Sequence, residues 1–446
     1  MGLLSGSFLR SALGKFAIKL RQRNSIYLAL SLIARVLNAL GMFLAIQRFA
    51  PSTFGEMSYL QATAVSTIAF CSFGIELSIN AQLTRKLNDA SPLGPTIIAG
   101  STLALGGIVL ACIVVSTLFA SQLTNSSSPH LAILAVCIYS SFMISTSLLT
   151  AMSFALSSSV NVGVSYVATS LIFIGFAIFS NADASGVDLM FFLIVAQVVA
   201  VSFLAFSLLR HTQRLKGRSA VGYVKHTAQE AMIEIKTLLS YGTKQIAIVS
   251  TVTFAQWLIQ RKIVFGDGGT SENAIYSVGN QIFNMMTFIP SILTPIIVTR
   301  LAAAGADVGR RRKIALRSLR LFSVVAVCAC AAVFVGLRIG IPFLPARYAA
   351  AVETGLIASM AAAFQIIRAP FSLFFLSELK ASREMASAAA GSLFMIIATS
   401  MFTQLNPNEG TMIRLLGCAL QAVFLVSFFL FETRRNQTRQ PLKTSP

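Results

Sequence analysis

Charge is scarce in this chain, and acidic charge is scarcer still. Only 11% of its 446 residues are Asp, Glu, Lys or Arg, and 15 acidic residues stand against 35 basic ones. Soluble domains carry about 25% charged residues, so a soluble globular fold is excluded. Histidine is almost missing: His130, His211 and His226 fall in loops or in a hydrophilic linker. The six cysteines (Cys71, Cys112, Cys137, Cys328, Cys330, Cys418) lie inside apolar stretches, with no Cys-x-x-Cys pair and no histidine at ligand spacing. They read as buried thiols rather than metal ligands or disulfides. A GxxxxGK phosphate loop, a GxSxG elbow and an HExxH helix are all lacking. Those motifs carry nucleotide hydrolysis, serine-dependent hydrolysis and zinc peptidase chemistry, so no enzyme activity and no cofactor are expected.

What the chain has instead is apolar runs of membrane length. At about 1.5 Å per residue, roughly 20 helical residues cross a hydrocarbon core. Twelve such spans are expected, in an all-α membrane protein rather than a barrel of alternating strands. The first six lie near 25–48, 56–80, 95–119, 131–154, 160–180 and 189–209. The second six lie near 239–260, 274–298, 316–337, 352–376, 385–404 and 411–431. A formal charge of +20 invites a nucleic-acid partner, but the basic residues sit between apolar runs, where they hold loops to an anionic leaflet. With both termini cytoplasmic, 26 of the 35 basic residues fall on the inside. Arg48, Arg261, Lys262, Arg338, Arg347 and Arg414 are assigned to the outside, and three cations to the spans. The basic leader, with Leu9, Leu13, Phe16 and Leu20 at helical spacing, predicts an interfacial helix.

The second half echoes the first. Ile46-Gln47-Arg48 closes span one and Ile259-Gln260-Arg261 closes span seven; Tyr59 and Tyr276 follow, then Thr84-Arg85 and Thr299-Arg300. The offsets are 213, 217 and 215 residues, one register with small insertions. Duplication predicts two six-helix halves pointing the same way, 1–209 and 239–446, joined by a cytoplasmic linker at 210–238.

Charges inside the spans are the informative set. Arg35 stands near the middle of the first, with Tyr27, Ser31 and Asn38 at helical spacings. An Arg at that depth costs at least about 2.5–3.5 kcal/mol, so it should face a bundle interior or a wet cavity. Lys244 lies about one turn from the repeat-equivalent position, near enough to the headgroups to snorkel instead. Arg368 precedes Pro370, whose missing N–H frees a carbonyl that the guanidinium can satisfy. Glu76 is the single acidic residue read well inside a span, as an interfacial carboxylate or an ion-coupling group. Positive charge at depth selects an anion over a cation. Span seven adds Ser250, Thr253, Gln256, Trp257 and Gln260, and span eight adds Asn280, Gln281 and Asn284. These suit sugar hydroxyls and rings, or serve as glue between helices. Pro290 and Pro295 are expected to break the ladder of span eight.

The stretch RVLNALGMFLAIQRFAPSTFGEMSYLQATAVSTIAFCSFGIELSINAQLTRKL (35–87), with its Phe54-Gly55 pair, resembles the opening of the Wzx-type polysaccharide flippases. WLIQRKIVFGDGGTSENAIYSVGNQIFNMMTFIPSILTPIIVTRLA (257–302) is similar to their seventh and eighth helices. The resemblance implies two pseudo-symmetric six-helix lobes around a central cavity, with alternating access between inward and outward openings, in the bacterial inner membrane. It further implies an undecaprenyl-pyrophosphate-linked oligosaccharide as substrate, for O-antigen or exopolysaccharide assembly, with membrane lipids, a polysaccharide polymerase and chain-length proteins as partners. In that setting Arg35 and Lys244 meet the pyrophosphate; Arg368, Ser31, Asn38, Gln256 and Asn280 complete the expected substrate contacts. A multidrug antiporter of the same architecture, a lipid II flippase and a non-transporting scaffold for glycan assembly are the alternatives.

Overall fold

The structure, a computed structural model, describes residues 5–438 apart from 90, 124, 125, 127, 157, 217–227, 304–307, 341–344 and 378–380. Among the described residues it is helical throughout, with no strand. In chain order the helices are α1 (Ser5–Arg48), α2 (Pro51–Cys71), α3 (Ile75–Asn88), α4 (Gly94–Val114) and α5 (Pro129–Ala155). Then come α6 (Ser159–Phe179), α7 (Gly186–Lys216), α8 (Ala228–Val264) and α9 (Gly269–Ala303). Finally there are α10 (Val308–Gly340), α11 (Ala351–Ser377), α12 (Ala381–Met401) and α13 (Pro407–Thr438). Among the described residues, nine helices are long and apolar enough to cross a membrane. The stretch expected as span two is divided between α2 and α3, and α8 and α9 are not among the nine, so twelve spans remain an expectation.

Two local expectations change. The basic leader is one uninterrupted helix with the first span, not a separate interfacial element. The broken helix is not α9, which runs continuously through Pro290 and Pro295. It is the second span, where Phe73 (φ 52°) and Gly74 (φ 63°) turn left-handed between α2 and α3. Gly74 is needed there twice over: its φ suits glycine, and a Cβ would stand 2.8 Å from the Cα of Gly242.

The chain forms two compact units whose limits differ from a division at the linker. The first comprises Met1–Ala45, Thr67–Asn181 and Val187–Thr243. Ile75, Ile79 and Leu83 of α3 pack on Ala99 and Leu103 of α4 and on Ile144 and Leu148 of α5, with Leu238 of α8 closing the cluster. Lys86 pairs with Glu234 at 2.6 Å, and the Thr96 hydroxyl donates to the same carboxylate at 3.3 Å.

The second unit comprises Ile46–Ser66, Ala182–Gly186 and Lys244–Pro446. α11 is at its centre because Ala358, Ala361 and Ala362 let α9 and α10 approach closely, with Phe283 and Phe322 filling the space between. Phe371, Phe374 and Phe429 form a second, edge-to-face cluster; truncating such a buried ring to alanine costs about 3–5 kcal/mol. The segment from the first half is held tightly. Phe54 is fully buried, edge-on to Tyr348. Asn273 Nδ2 donates to the Gly55 carbonyl at 2.8 Å, and Arg347 Nη2 donates to the Gln47 carbonyl at 3.0 Å. A Cβ at Gly55 would stand 1.7 Å from the Thr270 carbonyl oxygen. The Phe-Gly pair is therefore a packing device: a ring that anchors and a bare Cα that lets α2 meet α9 backbone to backbone. The two echo tyrosines, Tyr59 and Tyr276, are both buried in this unit.

Candidate functional site

In the first unit, α1 turns one face inward. Ser31, Ala34, Met42 and Ala45 are buried, whereas Leu32, Val36, Leu40 and Phe43 are exposed as a lipid-facing side would be. Gly41 lies against Phe173 of α6, and the Ser170 hydroxyl of α6 donates to the Ala34 carbonyl at 3.0 Å. Ser31 is thus in the packed face, with Asn38 half-buried beside it. Arg35 sits at the flank of that face and is exposed. Its charge acts on the phenol of Tyr166 of α6, as does the carboxylate of Glu76 of α3.

Glu76 and Tyr166 line a cavity of about 200 Å³ together with Thr146, Thr150, Thr169 and Gln197. Helical spacing builds its walls: Thr146 and Thr150 are one turn apart on α5, and Tyr166 and Thr169 one turn apart on α6. The Thr146 hydroxyl donates to Gln197 Oε1 at 3.2 Å. Thr150 is 2% exposed, and its hydroxyl is in hydrogen-bond contact with the Tyr166 phenol. Glu76 is accessible from the cavity, and no described residue forms an ion pair with it. Sequence reading singled out Glu76 but not the hydroxyls around it. Their signal was present as polar residues at helical spacing on α5 and α6, and it was masked because such residues usually bond their own helix.

The second unit holds the other charges, and here two sequence expectations are corrected. Glu76 is not the only carboxylate at depth. Arg368 Nη2 pairs with Glu384 Oε1 at 2.9 Å, with side chains 13% and 11% exposed. Arg368 Nη1 also donates to Gln365 Oε1 at 3.0 Å and to Gln421 Oε1 at 3.3 Å, and Ser372 donates to Glu384. Because α12 starts at Ala381, Glu384 is already inside the packed helices, one residue ahead of the span read from the sequence. The positive interior inferred from Arg368 is therefore neutralised. The pair joins α11 to α12, and removing one partner strands the other charge, which costs about 3–5 kcal/mol. Glu384→Gln is expected to lower the thermal midpoint of the detergent-solubilised protein substantially, while Arg368→Met with Glu384→Leu recovers most of the loss. An unchanged midpoint in the single variant would show that the pair carries no stability.

Arg414, assigned to the outer side, is 2% exposed. A capping box explains the difference: Asn406 Oδ1 accepts from the Glu409 N–H at 2.9 Å and Glu409 Oε2 accepts from the Asn406 N–H at 3.0 Å. This starts α13 at Pro407 and carries Arg414 two turns into the unit. Its Nη1 donates to Asn280 Oδ1 at 2.6 Å, and its guanidinium lies 3.7 Å above the Phe283 ring. Asn280 is accordingly engaged within the protein.

The polar stripe of α8 is likewise largely internal. Ser250 and Thr253 donate to carbonyls of their own helix, Ile246 and Val249. Trp257, read as a sugar-stacking ring, is 5% exposed, stacks on Phe254 and donates to Thr63 Oγ1 at 3.1 Å. Gln256 is half-buried. Lys244 lies on α8, and its side chain falls outside the described residues.

At the start of α9, ahead of the expected span, partial burial holds the Glu272 carboxyl above the usual carboxylate range, with Asp267 and Glu409 adding like charge. A raised value means that the stabilising contribution is complete below the unfolded carboxyl's pKa, about 4.3, and is lost as pH rises through the folded one. Glu272→Gln should raise the thermal midpoint modestly at neutral pH and converge with the parent in acid. A lower midpoint at neutral pH would contradict this.

No protein-family model matches the chain, and no curated protein is similar to it. Solved structures are similar over nearly its whole length. An inward-facing multidrug resistance MATE family transporter of the MOP superfamily is 13% identical, with a TM-score of 0.74 over 94% of this chain and 99% of the other. The lipid II flippase MurJ in an inward closed conformation is 10% identical, with a TM-score of 0.67 over 92% of this chain and 87% of the other. A MOP superfamily transporter from Pyrococcus furiosus, described as having a binding pocket of reverse polarity, is 14% identical, with a TM-score of 0.66 over 93% and 95%. The fold is that of MOP-superfamily transporters.

Proposed function

We propose that this chain is a multi-pass transporter of the bacterial inner membrane that moves an undecaprenyl-pyrophosphate-linked oligosaccharide to the outer leaflet for O-antigen or exopolysaccharide assembly. The observation that carries this reading is Arg35, an exposed guanidinium midway along an apolar helix. A charge at that depth faces a bundle interior or a wet cavity, and a planar guanidinium matches a diphosphate in fork geometry. Asn38, half-buried on the same side of the helix, supplies a neutral polar contact, whereas Ser31, buried in the packed face, is left out. Arg368 and Asn280, engaged with Glu384 and Arg414, are left out of the proposed substrate contacts. The expected topology, with 26 of 35 basic residues inside, and the shared fold with a lipid II flippase support the same direction of transport. Movement follows alternating access, with the sugars crossing in the cavity and the lipid tail staying in the bilayer; a polymerase and chain-length proteins would take the product.

The test is deletion of the gene followed by complementation. Surface glycan should disappear, and lipid-linked precursor should accumulate in the cytoplasmic leaflet. Normal surface glycan in a strain without a redundant transporter would overturn the proposal. The Glu76 carboxylate at a cavity favours one second reading, exchange of an organic cation; it predicts drug sensitivity on deletion with glycan unchanged.

A further inference from the structure

From Val308 to Val352 the chain has no acidic residue and eight basic ones, six of which fall in the first four turns of α10. We propose that three of these, Lys313, Arg317 and Arg320, form a binding site for the headgroup of an anionic phospholipid, whose acyl chains lie along the apolar face that continues from them.

Spacing makes the site. Steps of four and three residues put Lys313, Arg317 and Arg320 on one side of the helix, separated by about 6 Å and 4.5 Å along its axis, and all three are exposed. Among the described residues none of them is paired with a carboxylate. Arg310 and Arg311 have contacts of their own and are left out. The same side of α10 continues as Leu316, Val324, Val327 and Val335, all exposed, while Ala315 and Phe322 are buried on the opposite side. Only 11% of the apolar stretch of α10 is buried, against a third or more in the other eight membrane-length helices. Arg338 follows Arg320 by 18 residues, five turns on the same side. That separation is about 27 Å, close to the roughly 30 Å of a hydrocarbon core, so the three cations stand at one headgroup boundary and Arg338 at the other.

Charge selects the occupant. A helix N-terminus carries partial positive charge of its own, so cations clustered there repel it and one another, and an anion from outside relieves both. A second copy docked on this face about a two-fold axis would set each cation against its own counterpart. A zwitterionic headgroup brings no net charge. A phosphodiester set between the Arg317 and Arg320 guanidiniums is held in fork geometry, with Lys313 reaching it from the aqueous side. Basic loops in general are drawn to an anionic leaflet diffusely; here three aligned cations above an exposed apolar stripe make a saturable site.

The test is native mass spectrometry of the purified full-length protein with dioleoylphosphatidylglycerol or dioleoylphosphatidylcholine at equal concentration. Each cation near an anionic surface strengthens attachment about fivefold. The first phosphatidylglycerol adduct should therefore exceed the phosphatidylcholine adduct at least fivefold. Arg317→Gln with Arg320→Gln should weaken it at least tenfold and Lys313→Gln several-fold, while Arg338→Gln leaves it unchanged. If the double variant is not monodisperse, its two single variants carry the test. Equal adducts of the two lipids, occupancy unchanged in the variants, or an equal loss in Arg338→Gln would overturn the proposal. So would displacement of phosphatidylglycerol by undecaprenyl phosphate at equal concentration, because the occupant would then be a carrier lipid. The gene deletion that tests glycan export is independent of this measurement, so either reading can fail while the other stands.

Discussion

Arg35→Ala is expected to reduce export of surface glycan by at least an order of magnitude while lipid-linked precursor accumulates in the inner leaflet. A charge-assisted hydrogen bond contributes about 1.5–3 kcal/mol, and bidentate pairing to a phosphate adds geometric specificity. At about 1.4 kcal/mol per tenfold, the loss is roughly tenfold to a hundredfold in binding. Arg35→Lys keeps the charge without the fork and should restore part of the flux. The folded core has little to lose, since Arg35 is exposed while its neighbours Ala34 and Met42 make the packing contacts. Immunoblotting of the membrane fraction separates transport from abundance. Full export by Arg35→Ala at normal protein level would exclude the guanidinium as the anion contact and favour a scaffold.

Gly55→Val should have the other large effect, and for a steric reason alone. The first carbon of any side chain at 55 would lie 1.7 Å from the Thr270 carbonyl oxygen and 2.9 Å from the Ala274 nitrogen. Carbon needs about 3.5 Å from its neighbours, so backbone must move, and backbone cannot rotate aside as a side chain does. Displacing α2 from α9 breaks the Asn273 bond to the Gly55 carbonyl and disturbs the bond from Trp257 to Thr63. Trp257 is the only tryptophan in the chain, so its emission reports on this segment directly. A red shift is expected, together with faster hydrogen exchange over 46–66 and loss of transport. Gly106→Ala is the matched control, because a Cβ there meets nothing within 4 Å. If Gly55→Val keeps the parent's emission and transport, the close approach of α2 to α9 is not required.

Much of the fold was legible because a membrane protein declares its helices through composition. Each must satisfy its own backbone in lipid, so apolar length and helix coincide. The echo of Ile46-Gln47-Arg48 and Tyr59 in Ile259-Gln260-Arg261 and Tyr276 was equally visible, and the two tyrosines are buried alike. What one-dimensional reading misjudged were residues close to helix ends. Glu384 and Arg414 each lie within a few residues of an expected span boundary, and a shift of one turn separates a loop charge from a buried one. The break at Phe73-Gly74 was missed for a different reason: prolines drew attention to α9, but a proline inside a helix removes only one donor, and the helix can continue.

Composition by itself determined that this chain is helical and needs lipid around it, because both follow from the summed transfer energies of side chains regardless of their neighbours. Only the tertiary structure decided which charges are paired inside a unit and which face its surface or a cavity. Arg368 and Arg414 meet partners on other helices, Glu76 faces a cavity, and Arg35 lies exposed at the flank of a packed face. Pairing depends on distances between segments far apart in the chain, and no linear pattern carries those.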